Sequence, residues 1–160
     1  MAGTARPLED VALEQFTYIF SLDGVIADAE KASLEKLKTQ VARVKDPQLS
    51  SATPIAELPL GIPAAYWLDL RGYQPAEITK ELSKPILILQ GGRDYQVTDA
   101  DFQIWKKTLS SQTNVEFKFY EKLNHLFTEG QGKSTPAEYL TAGHVAETVI
   151  EDIANWIKKP

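Results

Sequence analysis

The chain has 160 residues, 43% hydrophobic and 24% charged, with a formal net charge of −5. This composition suits a folded globular chain with its own core and excludes a disordered or fibrous one. The acidic balance, without any Lys/Arg cluster, argues against a nucleic-acid partner. With no cysteine there is no disulfide and no thiolate metal site.

The opening MAGTARPLEDV lacks the basic-then-apolar plan of a signal peptide, and no apolar run approaches the roughly 20 residues of a membrane span. A cytoplasmic location is expected, with any address ahead of Met1 left open. Leu8, Val11, Ala12, Phe16, Ile19 and Phe20 then share one helical face, with Pro7 suited to the first turn. A second helix follows, with Leu34, Leu37, Val41 and Val44 spaced three, four, three and charges between them; it stops near Asp46-Pro47. The stretch PQLSSATPIAELPLGIP reads as an extended connection. Short helices around Ala64–Leu70 and after Pro75 complete a part without a convincing strand, residues 1–84.

The second part, 85–160, alternates strand, helix, strand, helix. Ile86-Leu87-Ile88-Leu89 is a continuous apolar run, opened by Pro85 and closed by Gly91-Gly92, as in a strand buried on both faces. Phe102, Trp105 and Leu109 mark a crossover helix with Thr98 or Asp99 as its cap. Val115–Tyr120 alternates, as a strand near a sheet edge does. Val145, Val149, Ile150, Ile153, Trp156 and Ile157 share a face of the last helix. The fold class is therefore α/β, with two parallel strands. Two strands rarely form a sheet alone, so the chain reads as one end of a larger sheet.

The stretch FSLDGVIADAE resembles the opening motif of haloacid-dehalogenase phosphatases, in which an Asp attacks phosphate. Position 21 is Ser, so the attacking carboxylate is missing. Phe16, Ile19 and Phe20 also continue a helical period, and a helix end with an Asp23-Gly24 turn accounts for the stretch better.

Ligands of open parallel sheets gather at the carboxyl ends of strands. There GGRDYQV offers Asp94 and EKLNHLF offers His125, on neighbouring loops. A carboxylate beside an imidazole holds one tautomer and stabilises the protonated ring, leaving the imidazole to act as general base. The bland alternative for Asp94 is a turn residue in Gly-Gly-Arg-Asp, and for His125 a packed loop histidine. Arg93 either pairs with a nearby carboxylate or is exposed, and Phe127 is expected to pack beneath the histidine. Tyr95 is a candidate pocket residue or simple packing. His144 is a helix-start residue. No His/Asp/Glu set has metal spacing, and GGRD is too short for a phosphate loop; neither metal nor cofactor is expected.

ILILQGGRDYQV, the Asn124-His125 pair and GHVAETVIEDIANWI together resemble the C-terminal end of an α/β-hydrolase, of the esterase and dienelactone-hydrolase-like branch. The resemblance implies that Asp94 and His125 are the acid and base of a catalytic triad acting on a small-molecule ester. It implies that 1–84 is a lid-like insertion and that MAGTARPLED is the loop after the preceding strand. In that setting Tyr66 and Trp67 line an acyl pocket or form the contact between lid and sheet. The nucleophile motif G-x-S-x-G is absent: the serines at 21, 33, 50, 51, 83, 110, 111 and 134 all stand in other contexts. The chain is therefore expected to be an esterase fragment that is inactive alone. The alternative is a binding or assembly module with a degenerate hydrolase fold. In either case the unpaired edge of the first strand favours self-association.

Overall fold

The computed structural model describes residues 3–159. The chain forms two compact units. One is Arg6–Tyr73; the other comprises residues 74–159 together with residues 3–5.

The helical unit contains α1 (Leu8–Phe20), α2 (Asp28–Lys45) and α3 (Ala64–Leu70), with 3₁₀ turns at Ile55–Glu57 and Pro59–Gly61. α1 ends where the apolar period stops. Ser21 caps it, and Gly24, at φ 85°, turns the chain. The Asp23 carboxylate accepts from the Val25 amide at 3.0 Å, so FSLDG is a helix end and turn. The Glu30 carboxylate accepts from the Ala27 amide at 2.8 Å and closes the start of α2. Leu34, Leu37, Val41 and Val44 are the buried stripe of α2. Val44, Leu49, Leu58, Ala64 and Trp67 form the main core cluster, and the Trp67 indole N–H donates to the Ile62 carbonyl at 3.2 Å.

The second unit holds α4 (Pro75–Thr79), β1 (Ile86–Gly91), α5 (Asp99–Thr108), β2 (Val115–Tyr120) and α6 (Glu147–Ile157). β1 and β2 are parallel, in register Ile86↔Val115 through Gly91↔Tyr120. The uninterrupted apolar run of β1 is explained by the layers on either side. Ile86 and Ile88 pack toward Phe102, Trp105 and Leu109 at α5, while Leu87 and Leu89 pack toward Val149 and Ile153 of α6. Each fully buried Leu, Ile or Phe contributes about 1.5–3 kcal/mol. The family-based fold expectation holds: this is a small parallel piece of an α/β sheet, helix-covered on both faces.

One boundary differs from the sequence reading. α6 starts at Glu147, because the Ala146 amide is tied to the Phe127 carbonyl at 2.9 Å; Val145 and His144 therefore precede the helix. Residues Gly3–Ala5 are bound to α5. The Ala5 amide and the Thr4 hydroxyl donate to the buried Asp101 carboxylate at 2.8 and 3.0 Å, and Trp105 donates to the Gly3 carbonyl at 2.7 Å. Met1, Ala2 and Pro160, at the ends of the two sequence-defined parts, lie outside the described residues. Among the described residues no helix is long and apolar enough to cross a membrane.

Candidate active site

Asp94 and His125 stand on the loops that leave β1 and β2 at their carboxyl ends. Backbone bonds knit these loops together: Gly92 donates to the Tyr120 carbonyl at 2.8 Å and Arg93 to the Leu123 carbonyl at 2.9 Å. The approach is close enough to require glycine. A Cβ on Gly91 would lie 2.5 Å from the Leu123 carbonyl oxygen, and one on Gly92 would lie 2.6 Å from that of Glu121.

His125 Nδ1 lies 2.8 Å from Asp94 Oδ2. The Asp94 side chain is 1% exposed and that of His125 is 31% exposed. The other carboxylate oxygen, Oδ1, accepts from the Gln96 and Val97 amides at 2.8 and 2.9 Å. Held by two backbone amides on Oδ1, the carboxylate presents Oδ2 to the imidazole. That contact sets the tautomer: Nδ1 carries the proton toward Asp94, and Nε2 is the basic nitrogen. The hydrogen bond to Asp94 raises the His125 pKa above its ordinary value, against a lowering by burial.

The loop around His125 is built by its neighbours. Buried Asn124 accepts through Oδ1 from the Leu126 and Thr128 amides at 3.0 and 3.1 Å, and its own amide donates to the Thr128 carbonyl. Phe127 sits at φ 57°, an uncommon conformation for a non-glycine residue. Its ring packs with Leu89, Leu123 and Val149, which offsets the cost. The β1 loop is held similarly. The buried Gln90 side chain donates to the Gly91 and Val97 carbonyls at 2.9 and 2.8 Å, so the end of the strand and the turn beyond Asp94 are tied to one amide.

The Arg93 side chain is 7% exposed and pairs with Glu138 of the 3₁₀ segment Pro136–Leu140, as one of its two sequence readings expects. Glu138 also accepts from Asn124 Nδ2 and from Ser134 Oγ, both at 3.1 Å. Burial pushes its carboxyl pKa up, but the bonds from Arg93, Asn124 and Ser134 outweigh this and hold it below the usual range.

The remaining candidates fall elsewhere. Tyr95 is buried, its ring 6.0 Å from that of Tyr139. Tyr66 is exposed on α3, and Trp67 is 1% exposed inside the helical core. His144 is exposed, and among the described residues no His/Cys/Asp/Glu cluster could hold a metal ion. Sequence reasoning missed Gln90 and Glu138. A buried polar residue inside an apolar run was a usable signal for Gln90, whereas PAEYL carries none for Glu138.

The dienelactone hydrolase family model matches residues 62–159. Esterase EstD of Thermotoga maritima is 45% identical over 161 residues, covering 99% of this chain and 36% of that protein. The chain thus spans little more than a third of the length of this curated relative. No solved structure matches it.

Proposed function

This chain belongs to the dienelactone hydrolase family, and we propose that it supplies the acid and base of a serine relay that hydrolyses a carboxylic ester. The observation that carries this reading is the 2.8 Å contact between buried Asp94 and His125. His125 Nε2 takes the proton of an attacking serine hydroxyl and returns it to the leaving alkoxide, while Asp94 orients the ring and stabilises its charged form. The serine and the amides that stabilise the oxyanion come from outside this sequence, which contains no G-x-S-x-G. The chain alone therefore has no covalent route to ester cleavage. The helical part is read as a lid segment, with Tyr66 as its exposed aromatic.

The test is a chimera in which this chain replaces the matched segment of the Thermotoga esterase. It is assayed with a short-chain p-nitrophenyl ester beside the isolated chain. Turnover by the chimera, its loss by about 10³-fold or more in His125→Ala, and no His125-dependent turnover by the isolated chain support the reading. A fully active His125→Ala chimera overturns it.

A second reading has one observation in its favour. Ile86 and Gly92 bond toward β2, so by the parity of the parallel ladder the amides and carbonyls of Leu87 and Leu89 point to the opposite edge of β1. Unpaired edges recruit strands, which supports self-association of the chain through β1. Light scattering on the eluting chain distinguishes a dimer from a monomer of 17.8 kDa.

A further inference from the structure

Asp94 and His125 are 31 residues apart in the chain, and their contact depends on how two loops are set against each other. The residue before each of them is tied to one carboxylate. Arg93, before Asp94, bonds Glu138 Oε1; Asn124, before His125, bonds Glu138 Oε2 at 3.1 Å. Ser134 adds a further donor to Oε2 at 3.1 Å. Arg93 is fixed in turn by the Gly132 and Gln131 carbonyls, which accept from Nε and Nη2 at 2.8 and 3.2 Å. The backbone closes tightly over it, since a Cβ at Gly130 would fall 2.0 Å from Nη1. Asn124 is 2% exposed, and its other end holds the His125 turn through the Leu126 and Thr128 amides.

We propose that Glu138 is a positioning residue: by accepting from Arg93 and Asn124 at once, it locks the two loops in the register that brings Asp94 onto His125. The inference builds on the reading of Asp94 and His125 as acid and base, but it concerns their mutual geometry and is measurable without turnover. A planar carboxylate suits the task because its two oxygens face opposite loops and both accept. Glutamine at 138 presents one amide nitrogen, a donor, to a partner that also donates.

The test follows the imidazole of His125 by NMR in the whole chain. His125 and His144 are the only two histidines, so His144→Gln assigns the signals. Asp94→Asn is the reference for a broken pair: the downfield Nδ1 proton disappears and the titration midpoint falls. Glu138→Gln and Arg93→Met remove charges of opposite sign. A field effect through space therefore moves the His125 midpoint down in the first and up in the second. Loss of positioning moves it down in both, by about threefold or more in proton affinity, and removes the Nδ1 signal in both, with His144 unchanged. Opposite shifts, or a retained Nδ1 signal at an unchanged midpoint, overturn the proposal.

Where either variant fails to fold, Glu138→Asp decides, because it keeps both charges and draws the carboxylate one methylene back from Arg93 and Asn124. A lowered midpoint supports the lock and an unchanged one overturns it. An unchanged midpoint in Asp94→Asn means the pair itself is absent. A chimera without ester turnover, together with shifts as expected here, removes the catalytic reading and leaves the lock.

Discussion

The helical unit and the sheet unit bury different kinds of side chain. Among the described residues, the buried positions of Arg6–Tyr73 are apolar apart from Thr53, and ion pairs such as Lys38–Glu35 on α2 lie at the surface. The sheet unit buries Gln90, Asp94, Asp101, Asn124 and Ser134 beside an apolar core of similar make-up. Burying a polar group costs stability unless its bonds are completed inside the protein. Four of these five gather at the loops beyond β1 and β2 or bond to residues there. Asp101 instead anchors the N-terminal residues. Buried polarity is thus concentrated at one end of one small sheet, the end that carries the proposed acid and base. The helical unit carries the simpler economy of packing.

This contrast can be broken on either side. The largest effect is expected from Trp67→Ala, which empties the centre of the helical core and lowers its stability by about 3–5 kcal/mol. Far-UV circular dichroism in denaturant should show an earlier loss of helix, while the His125 titration followed by NMR is unchanged. A shifted His125 midpoint would mean that the two units are coupled. Asp94→Ala is the counterpart in the sheet unit. It strips an acceptor from the Gln96 and Val97 amides and from His125, at a cost of about 2–4 kcal/mol. With only burial left to act on it, the His125 midpoint should fall to its ordinary value or below.

A smaller effect comes from pH. The folded pKa of His125 is raised, chiefly by its bond to Asp94. The ion pair therefore stabilises the sheet unit fully below the unfolded histidine value of about 6.5, and this contribution is lost as pH rises through the folded value. The gap in Tm between the wild type and Asp94→Asn should narrow across that window. In the chimera the ester activity should rise over the same window, because the base acts as neutral imidazole. A gap that widens with pH contradicts the pair. Smallest of all is Lys38→Ala, which deletes an exposed pair on α2 and should change stability by no more than about 0.5 kcal/mol in a thermal melt.

Much of this arrangement was legible in the chain. Apolar spacings located α1, α2 and α5, and an apolar run between Pro85 and a glycine pair located β1 and its double covering. The order strand, Asp, helix, strand, His was enough to place Asp94 and His125 on adjacent loops, and Asn124-His125 carried the family likeness. These signals are local, or follow from the rule that a crossover connection makes neighbouring strands parallel. The spacing also extended the last helix to Val145, because periodicity does not register that Ala146 is held by the Phe127 carbonyl.

The sequence therefore determined the elements, the sheet direction and the pair of residues that meet at its end, since each depends on short-range periodicity or on chain order. Tertiary structure decided why Gly91 and Gly92 are glycines, which carboxylate receives Arg93, and how Asn124 serves both the His125 turn and Glu138. Those bonds join residues far apart in the chain at positions where any of several polar side chains would have read as an exposed loop. Only the backbone approach of the two loops brings them together as hydrogen-bond partners.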